Sequence, residues 1–308
     1  MSTSDGVSNS STLSGDGTVI AFHSVGRGPG LMIVGGVLSD GSNYLHLAEA
    51  LAEKYTVHVM ERRGRPGSGP QCPGHSIQDE CADLMAIATA TGSRAAFGHS
   101  FGGLVVLEAA RSQPIFDELF VYEPGVPLRG QLTAGWLDGY QQRLETGDRH
   151  GAFAWMVKNA GFAPRPLAVM PLWYVRLVLR LAIRGSRWER MDHLLEANLV
   201  EHRLQAALDV PSLDRFATIA AHTVLIGGTK SPDAISGSLL DELASIIRGS
   251  TVAILPGLGH LAPEVDPGHI ATALLTQAKT LRRELIGRDR RSPRSARQPP
   301  GPASGDDA

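Results

Sequence analysis

Ser100 stands in Gly98-His99-Ser100-Phe101-Gly102, a G-x-S-x-G pentapeptide preceded by an apolar run from Ala95 and followed by Gly103-Leu104-Val105-Val106-Leu107. The pattern predicts a short strand, a sharp turn and a helix, the context that makes this motif a nucleophile elbow. Such a turn leaves no room for side chains beside the serine, hence glycine at 98 and 102. It sets Ser100 at a helix N-terminus, among backbone N–H groups that lack intrahelical partners. A serine hydroxyl attacks well only when a base takes its proton. Of the 11 histidines, His260 suits that role, because it follows the last strand-like run on the loop Pro256-Gly257-Leu258-Gly259. His99 adjoins the serine, but its side chain is expected to point away from Ser100.

These residues must be positioned by the elements between them. Segments at 18–24, 31–34, 55–60, 119–122, 223–226 and 251–255 read as strands, and the fully apolar run 31–34 as a strand buried on both faces. Helical spacing appears at about 44–54, 76–90, 238–248 and 268–285, with Ser76 as an N-cap. Strands alternating with helices predict an α/β fold with a doubly wound, mostly parallel sheet. Residues 15–126 and 221–286 would form this core, and 127–220 a helical cap inserted after the strand that ends at Glu123. Residues 1–14, rich in serine, and 287–308, rich in arginine, proline and glycine, are expected to be disordered. In such a sheet ligands bind at the carboxyl ends of the strands. The Gly35-Gly36, Ser100, Glu123, Ser231 and His260 loops all fall there.

Composition narrows the function. A net charge of −2 gives no global field for nucleic acid. Cys72 and Cys81, the only two cysteines, match no metal or disulfide pattern and are expected as free thiols in a reducing compartment. No signal peptide or apolar span of membrane length is apparent, so a cytoplasmic protein without stable membrane insertion is expected. Neither cofactor nor metal is expected.

Asp16-Gly17-Thr18, the Gly35-Gly36 loop, Arg62-Arg63-Gly64-Arg65 with Gly67-Ser68-Gly69, Gly98–Gly103, Tyr122-Glu123-Pro124 and Pro256–His260 occur in an order that resembles the α/β-hydrolase superfamily. The resemblance covers the two core segments and not the cap. It implies the α/β-hydrolase fold and a serine nucleophile, but no substrate. It also implies an oxyanion hole built from the amides of Phe101 and Val37, although many relatives carry His-Gly where this chain has Gly35-Gly36. Relatives commonly place the triad acid in a Gly-x-x-Asp pattern after the strand matching 223–226, where this chain has Ser231. Two acids remain: Glu123, at a position some members use, and Asp233, two residues beyond the usual place. Glu123 is preferred. A purely structural Glu123 would instead pair with an arginine of the 62–65 loop.

In the cap, Arg176, Arg180 and Arg184 recur every four residues, which predicts a helix with a solvated basic face; membrane contact or binding of an anionic substrate group is a further option. Phe153, Trp155, Met156, Trp173 and Tyr174 are available to line an apolar pocket. The function expected is hydrolysis of a carboxylic ester or related acyl bond in a small molecule, through an acyl-enzyme on Ser100. The alternatives are a lyase, a cyclase or a cofactor-free peroxidase-like enzyme on the same fold, or a silent ligand-binding receptor.

Overall fold

Alternation in the strands divides the hydrophobic core in two. Leu31 and Ile33 point to one face of the sheet and Met32 and Val34 to the other, as the two-residue pleat requires, and all four are buried. The computed structural model describes residues 6–128, 134–160, 165–208 and 212–289. Among these, eight strands form one sheet: β1 (Ser8–Leu13), β2 (Val19–Gly26), β3 (Gly30–Val34), β4 (Thr56–Met60), β5 (Ala95–His99), β6 (Glu118–Tyr122), β7 (His222–Gly228) and β8 (Thr251–Leu255). Their spatial order is β1-β2-β4-β3-β5-β6-β7-β8. β2 runs antiparallel to both neighbours, and the strands from β4 to β8 are mutually parallel.

Helices α1 (Leu45–Leu51), α2 (Ile77–Thr91) and α3 (Phe101–Ser112) follow β3, β4 and β5. After β6 come α4 (Leu137–Glu145), α5 (Arg149–Asn159), α6 (Arg165–Ala168), α7 (Leu172–Ala182), α8 (Ser186–Asp192) and α9 (Leu195–Leu208). The chain then returns to the sheet, with α10 (Asp233–Ser236) and α11 (Ser238–Ile246) after β7, and α12 (Ala262–Val265) and α13 (Pro267–Asp289) after β8. Residues of α2, α3 and α11 cover one face of the sheet, and residues of α1 and α13 the other. α2 begins with a reciprocal capping box between Ser76 and Asp79 and ends on left-handed Gly92. The chain leaves β3 toward β4 on one side and returns to β5 on the other. The carboxyl ends of β3 and β5 therefore bound the crevice where such sheets bind ligands.

Two terminal expectations are corrected. Ser8–Leu13 is not disordered but pairs along its whole length with β2, from Ser8 opposite Ser24 to Leu13 opposite Val19. Its side chains are almost all exposed, so it carries no apolar pattern, and backbone pairing at the sheet edge holds it. The last helix runs to Asp289, past the expected end at 285. The expected disorder of 1–5 and 290–308 lies outside the described residues.

The helices between β6 and β7 have their own apolar cluster, centred on Trp136, Tyr140, Phe153, Met156, Leu195 and Leu199. A buried ionic knot ties them to the core. Arg62, just after β4, donates from Nη1 to Glu201 of α9 (2.9 Å) and to Glu80 of α2 (3.3 Å), and from Nη2 to Glu201 (3.1 Å). Arg65 also donates to Glu201. Burial by itself would raise the Glu201 pKa, but the two guanidinium groups override it and hold the carboxyl well below its usual range. Removing one member of such a set leaves buried charge uncompensated. Glu201→Ala is therefore expected to lower the unfolding free energy by about 3–5 kcal/mol in urea titrations. A loss under about 1 kcal/mol would mean that the knot does not fasten the two parts.

Candidate active site

The elbow at the end of β5 bends as the glycines require. A Cβ on Gly98 would lie 2.6 Å from the Gly102 carbonyl oxygen, and one on Gly102 would lie 2.2 Å from that of Val34. No side chain fits either gap. Ser100 itself has φ 54° and ψ −119° and forms the N-cap of α3. Among the described residues, three non-glycine residues have positive φ: Leu38 (54°), Ser100 (54°) and Glu123 (43°). All three belong to the loops that meet at the carboxyl ends of β3, β5 and β6. Backbone strain of this kind persists only where surrounding contacts over-determine it, and it gathers at functional sites.

His260, on the loop after β8, bridges the other two side chains. Its Nε2 lies 3.1 Å from Ser100 Oγ and its Nδ1 2.8 Å from Glu123 Oε2. Glu123 is 1 % exposed and both its oxygens accept hydrogen bonds. Gly228 N–H donates to Oε1 (2.8 Å) and Ser231 O–H to Oε2 (2.9 Å). A carboxylate occupied in this way accepts from Nδ1–H of His260, which leaves Nε2 with a lone pair for the Ser100 proton. Ser231, at the position where the acid is expected, here donates its hydroxyl to Glu123 at the end of the neighbouring strand. The arginines of the 62–65 loop engage Glu80, Glu201 and Asp83. Glu123 is thus not taken up as their counter-ion. Asp233 opens α10, and its side chain lies outside the described residues.

His99 points away from Ser100, and sequence reasoning left it without a task. Its Nε2–H donates to the His260 carbonyl (2.8 Å), so its Nδ1 accepts from the Tyr44 hydroxyl (2.7 Å). Tyr44 in turn accepts from Gly36 N–H (2.9 Å). Burial, reinforced by the neighbouring His260, pushes the His99 pKa well below its usual value. A neutral imidazole thus connects the β3 loop to the His260 loop. Arg62 adds a second hold on the β3 loop, donating from Nη2 to the Gly36 carbonyl (2.7 Å). A Cβ on Gly36 would come within 3.3 Å of Ser100 Cβ. The loop backbone, with Val37 next in line, therefore lies against the serine. Phe101 is the first residue of α3, where a helix N–H has no intrahelical acceptor.

A cavity of about 360 Å³ opens above Ser100 and His260. Val37, Leu38, Phe153, Met156 and Leu194 give it apolar walls, and Arg187, Arg190, Asn43 and Glu264 give it polar edges. Burial pushes the Glu264 carboxyl up to about 7, against a hydrogen bond from Asn43 and the charge of His260. Of the aromatic residues expected there, Phe153 lines the cavity and Met156 with it, while Trp155, Trp173 and Tyr174 do not. Trp155 donates to the Trp136 carbonyl (2.8 Å) under Arg143, and Trp173 and Tyr174 face solvent.

The mostly parallel eight-stranded sheet with helices on both faces is that of the α/β-hydrolase fold. The model of the Alpha/beta hydrolase family matches residues 29–271, most of the chain. The chain belongs to that family. It is 29% identical over 131 residues to the uncharacterized hydrolase YraK of Bacillus subtilis, covering 41% of this chain and 48% of that protein. It is 33% identical over 94 residues to the pimeloyl-[acyl-carrier protein] methyl ester esterase of Stenotrophomonas maltophilia, covering 29% and 33% of the two. The chain thus spans less than half the length of these two curated relatives. Among solved structures, an alpha/beta hydrolase from Sphaerobacter thermophilus superposes with a TM-score of 0.73 at 29% identity, over 87% of this chain and 99% of that one. The esterase RhEst1 from Rhodococcus sp. shares the fold, with a TM-score of 0.62 at 18% identity over 89% and 99% of the chains.

Proposed function

We propose that this chain is a serine hydrolase that cleaves a carboxylic ester or related acyl bond through an acyl-enzyme on Ser100. The Ser100–His260–Glu123 hydrogen-bond series, at the base of an apolar-walled cavity, is the observation that carries this reading. His260 takes the Ser100 proton from Nε2 as Oγ attacks the acyl carbon, and Glu123 stabilises the imidazolium. The amides of Val37 and Phe101 hold the oxyanion of the tetrahedral intermediate. His260 then gives its proton to the leaving alkoxide. Water, deprotonated by the same nitrogen, releases the acid. An intact and fully hydrogen-bonded series favours an enzyme over a silent receptor on this fold.

The helices between β6 and β7 act in this reading as a cap that sets substrate choice. Phe153 and Met156 of α5 reach the cavity, whose volume suits a short to medium acyl chain. Substrate preference is tested with p-nitrophenyl esters from acetyl to dodecanoyl. Phe153→Ala and Met156→Ala are expected to shift the ratio of kcat/KM toward longer chains by about tenfold, within the range a hydrophobic pocket provides per added group. An unchanged profile in both folded variants would remove the cap from substrate selection.

A further inference from the structure

Helix α7 has two apolar faces. One packs inward through Val175, which is fully buried, and Leu179, which joins the apolar cluster of the cap. The other faces solvent. Met170 stands just before the helix, and Trp173, Tyr174, Leu177 and Leu181 follow at i+3, i+4, i+7 and i+11, which is the spacing of one helical stripe. Trp173 is 67% exposed, Leu181 55%, Leu177 47% and Tyr174 40%. A contiguous exposed stripe of this kind marks an interaction surface, whereas single exposed apolar residues do not.

Charge identifies the partner. From Trp173 to Arg184 the chain carries Arg176, Arg180 and Arg184 and no acid, while Arg187 and Arg190 beyond them border the active-site cavity. On α7, Arg176 and Arg180 lie along one edge of the stripe by helical spacing. Arg176 is paired with Asp148 (2.9 Å). Among the described residues no carboxylate lies within ion-pair distance of Arg180 or Arg184. The face therefore seeks an apolar surface with a negative border. A second copy of this chain offers the same arginine-edged face and no negative border to match it. A bilayer interface with anionic headgroups meets both demands. Leucine and methionine enter the acyl boundary, tryptophan and tyrosine sit at headgroup depth, and arginines reach the lipid phosphates. No helix among the described residues is long and apolar enough to cross a membrane, so the contact is peripheral.

We propose that the outward face of α7 is a docking surface for an anionic lipid bilayer. The test is co-sedimentation of the full chain with vesicles of equimolar phosphatidylcholine and phosphatidylglycerol, against vesicles of phosphatidylcholine alone. Binding to the anionic vesicles at least about tenfold tighter is expected, weakened by salt. Arg180→Glu with Arg184→Glu should lower the partition coefficient at least about 25-fold, about fivefold for each charge removed. Trp173→Ser with Leu177→Ser and Leu181→Ser should abolish binding, while turnover of a soluble ester and melting temperature stay unchanged. Equal binding to both vesicle types, no binding to either, or no effect of the serine variant would each overturn the proposal. So would light scattering that shows a wild-type dimer which the serine variant converts to monomer, since the stripe would then be covered by a second copy.

Discussion

Ser100→Ala is expected to lower kcat on a short-chain p-nitrophenyl ester by about 10⁵–10⁶-fold, with KM and melting temperature close to wild type. The size of the loss follows from the way such residues act as one unit: removing the nucleophile of a serine protease costs about as much as removing its whole triad. The fold should not suffer, because Ser100 holds its strained backbone through main-chain contacts. Its N–H donates to the Tyr122 carbonyl (3.0 Å), and its own carbonyl accepts from Gly125 (2.8 Å). Relieving a positive φ is not an alternative source of the effect, since alanine has the same preference against that region. A fluorophosphonate should add its mass to the Ser100 peptide of the wild type and leave the variant unlabelled. Residual activity above about 1% in a preparation free of wild type, or labelling elsewhere, would place the nucleophile at another residue.

Glu123→Gln is expected to lower kcat by about 10²–10⁴-fold, the upper end being the loss seen for the equivalent change in a serine protease on another fold. The surroundings give the reason an amide should fail at this position. Oε1 accepts from Gly228 N–H, and Oε2 accepts from both Ser231 and His260. An amide has one accepting end and one donating end. If its oxygen faces Gly228, its NH₂ faces Nδ1 of His260 and selects the tautomer whose Nε2 carries hydrogen. That nitrogen cannot take the Ser100 proton. If the amide turns over, its NH₂ opposes the Gly228 N–H. In either orientation the charge that stabilises imidazolium is gone. KM should change little, because Glu123 is buried behind His260 and does not line the cavity. Asp233→Asn serves as the control and should change kcat by less than about threefold. If Asp233→Asn proved the more damaging substitution, Asp233 would be the acid and Glu123 a structural carboxylate.

The elbow and the core strands were legible in the sequence because crowding and burial leave their mark on the residue types themselves, as glycine and as unbroken apolar runs. Gly98 and Gly102 are demanded by backbone atoms within a few residues of the turn or on the adjacent strand. Runs such as Leu31–Val34 are apolar throughout because both faces of a parallel sheet are covered. Alternation of such runs with helical spacing leaves few topologies open. The helix boundaries then follow from signals such as the Ser76 capping box.

Tertiary structure decided what depends on which distant groups lose water together. Glu123 and His260 are 137 positions apart, and spacing alone left Asp233 as a rival. Ser231 stands where an acid is expected, and only the folded chain brings its hydroxyl onto the Glu123 carboxylate. Glu201 carried no sign in its own helix that it would be buried between Arg62 and Arg65, nor His99 that it would bind the His260 loop to Tyr44. β1 escaped notice because an edge strand held by backbone pairing needs no apolar side chains. On α7 the sequence shows leucines, valines and arginines at helical spacing, but a helix with two apolar faces does not say which one turns inward. Val175 and Leu179 turn toward the neighbouring helices between β6 and β7, and the Trp173–Leu177–Leu181 stripe faces water. That choice is made by shape complementarity between α7 and α5, whose energy the pattern of α7 alone does not contain.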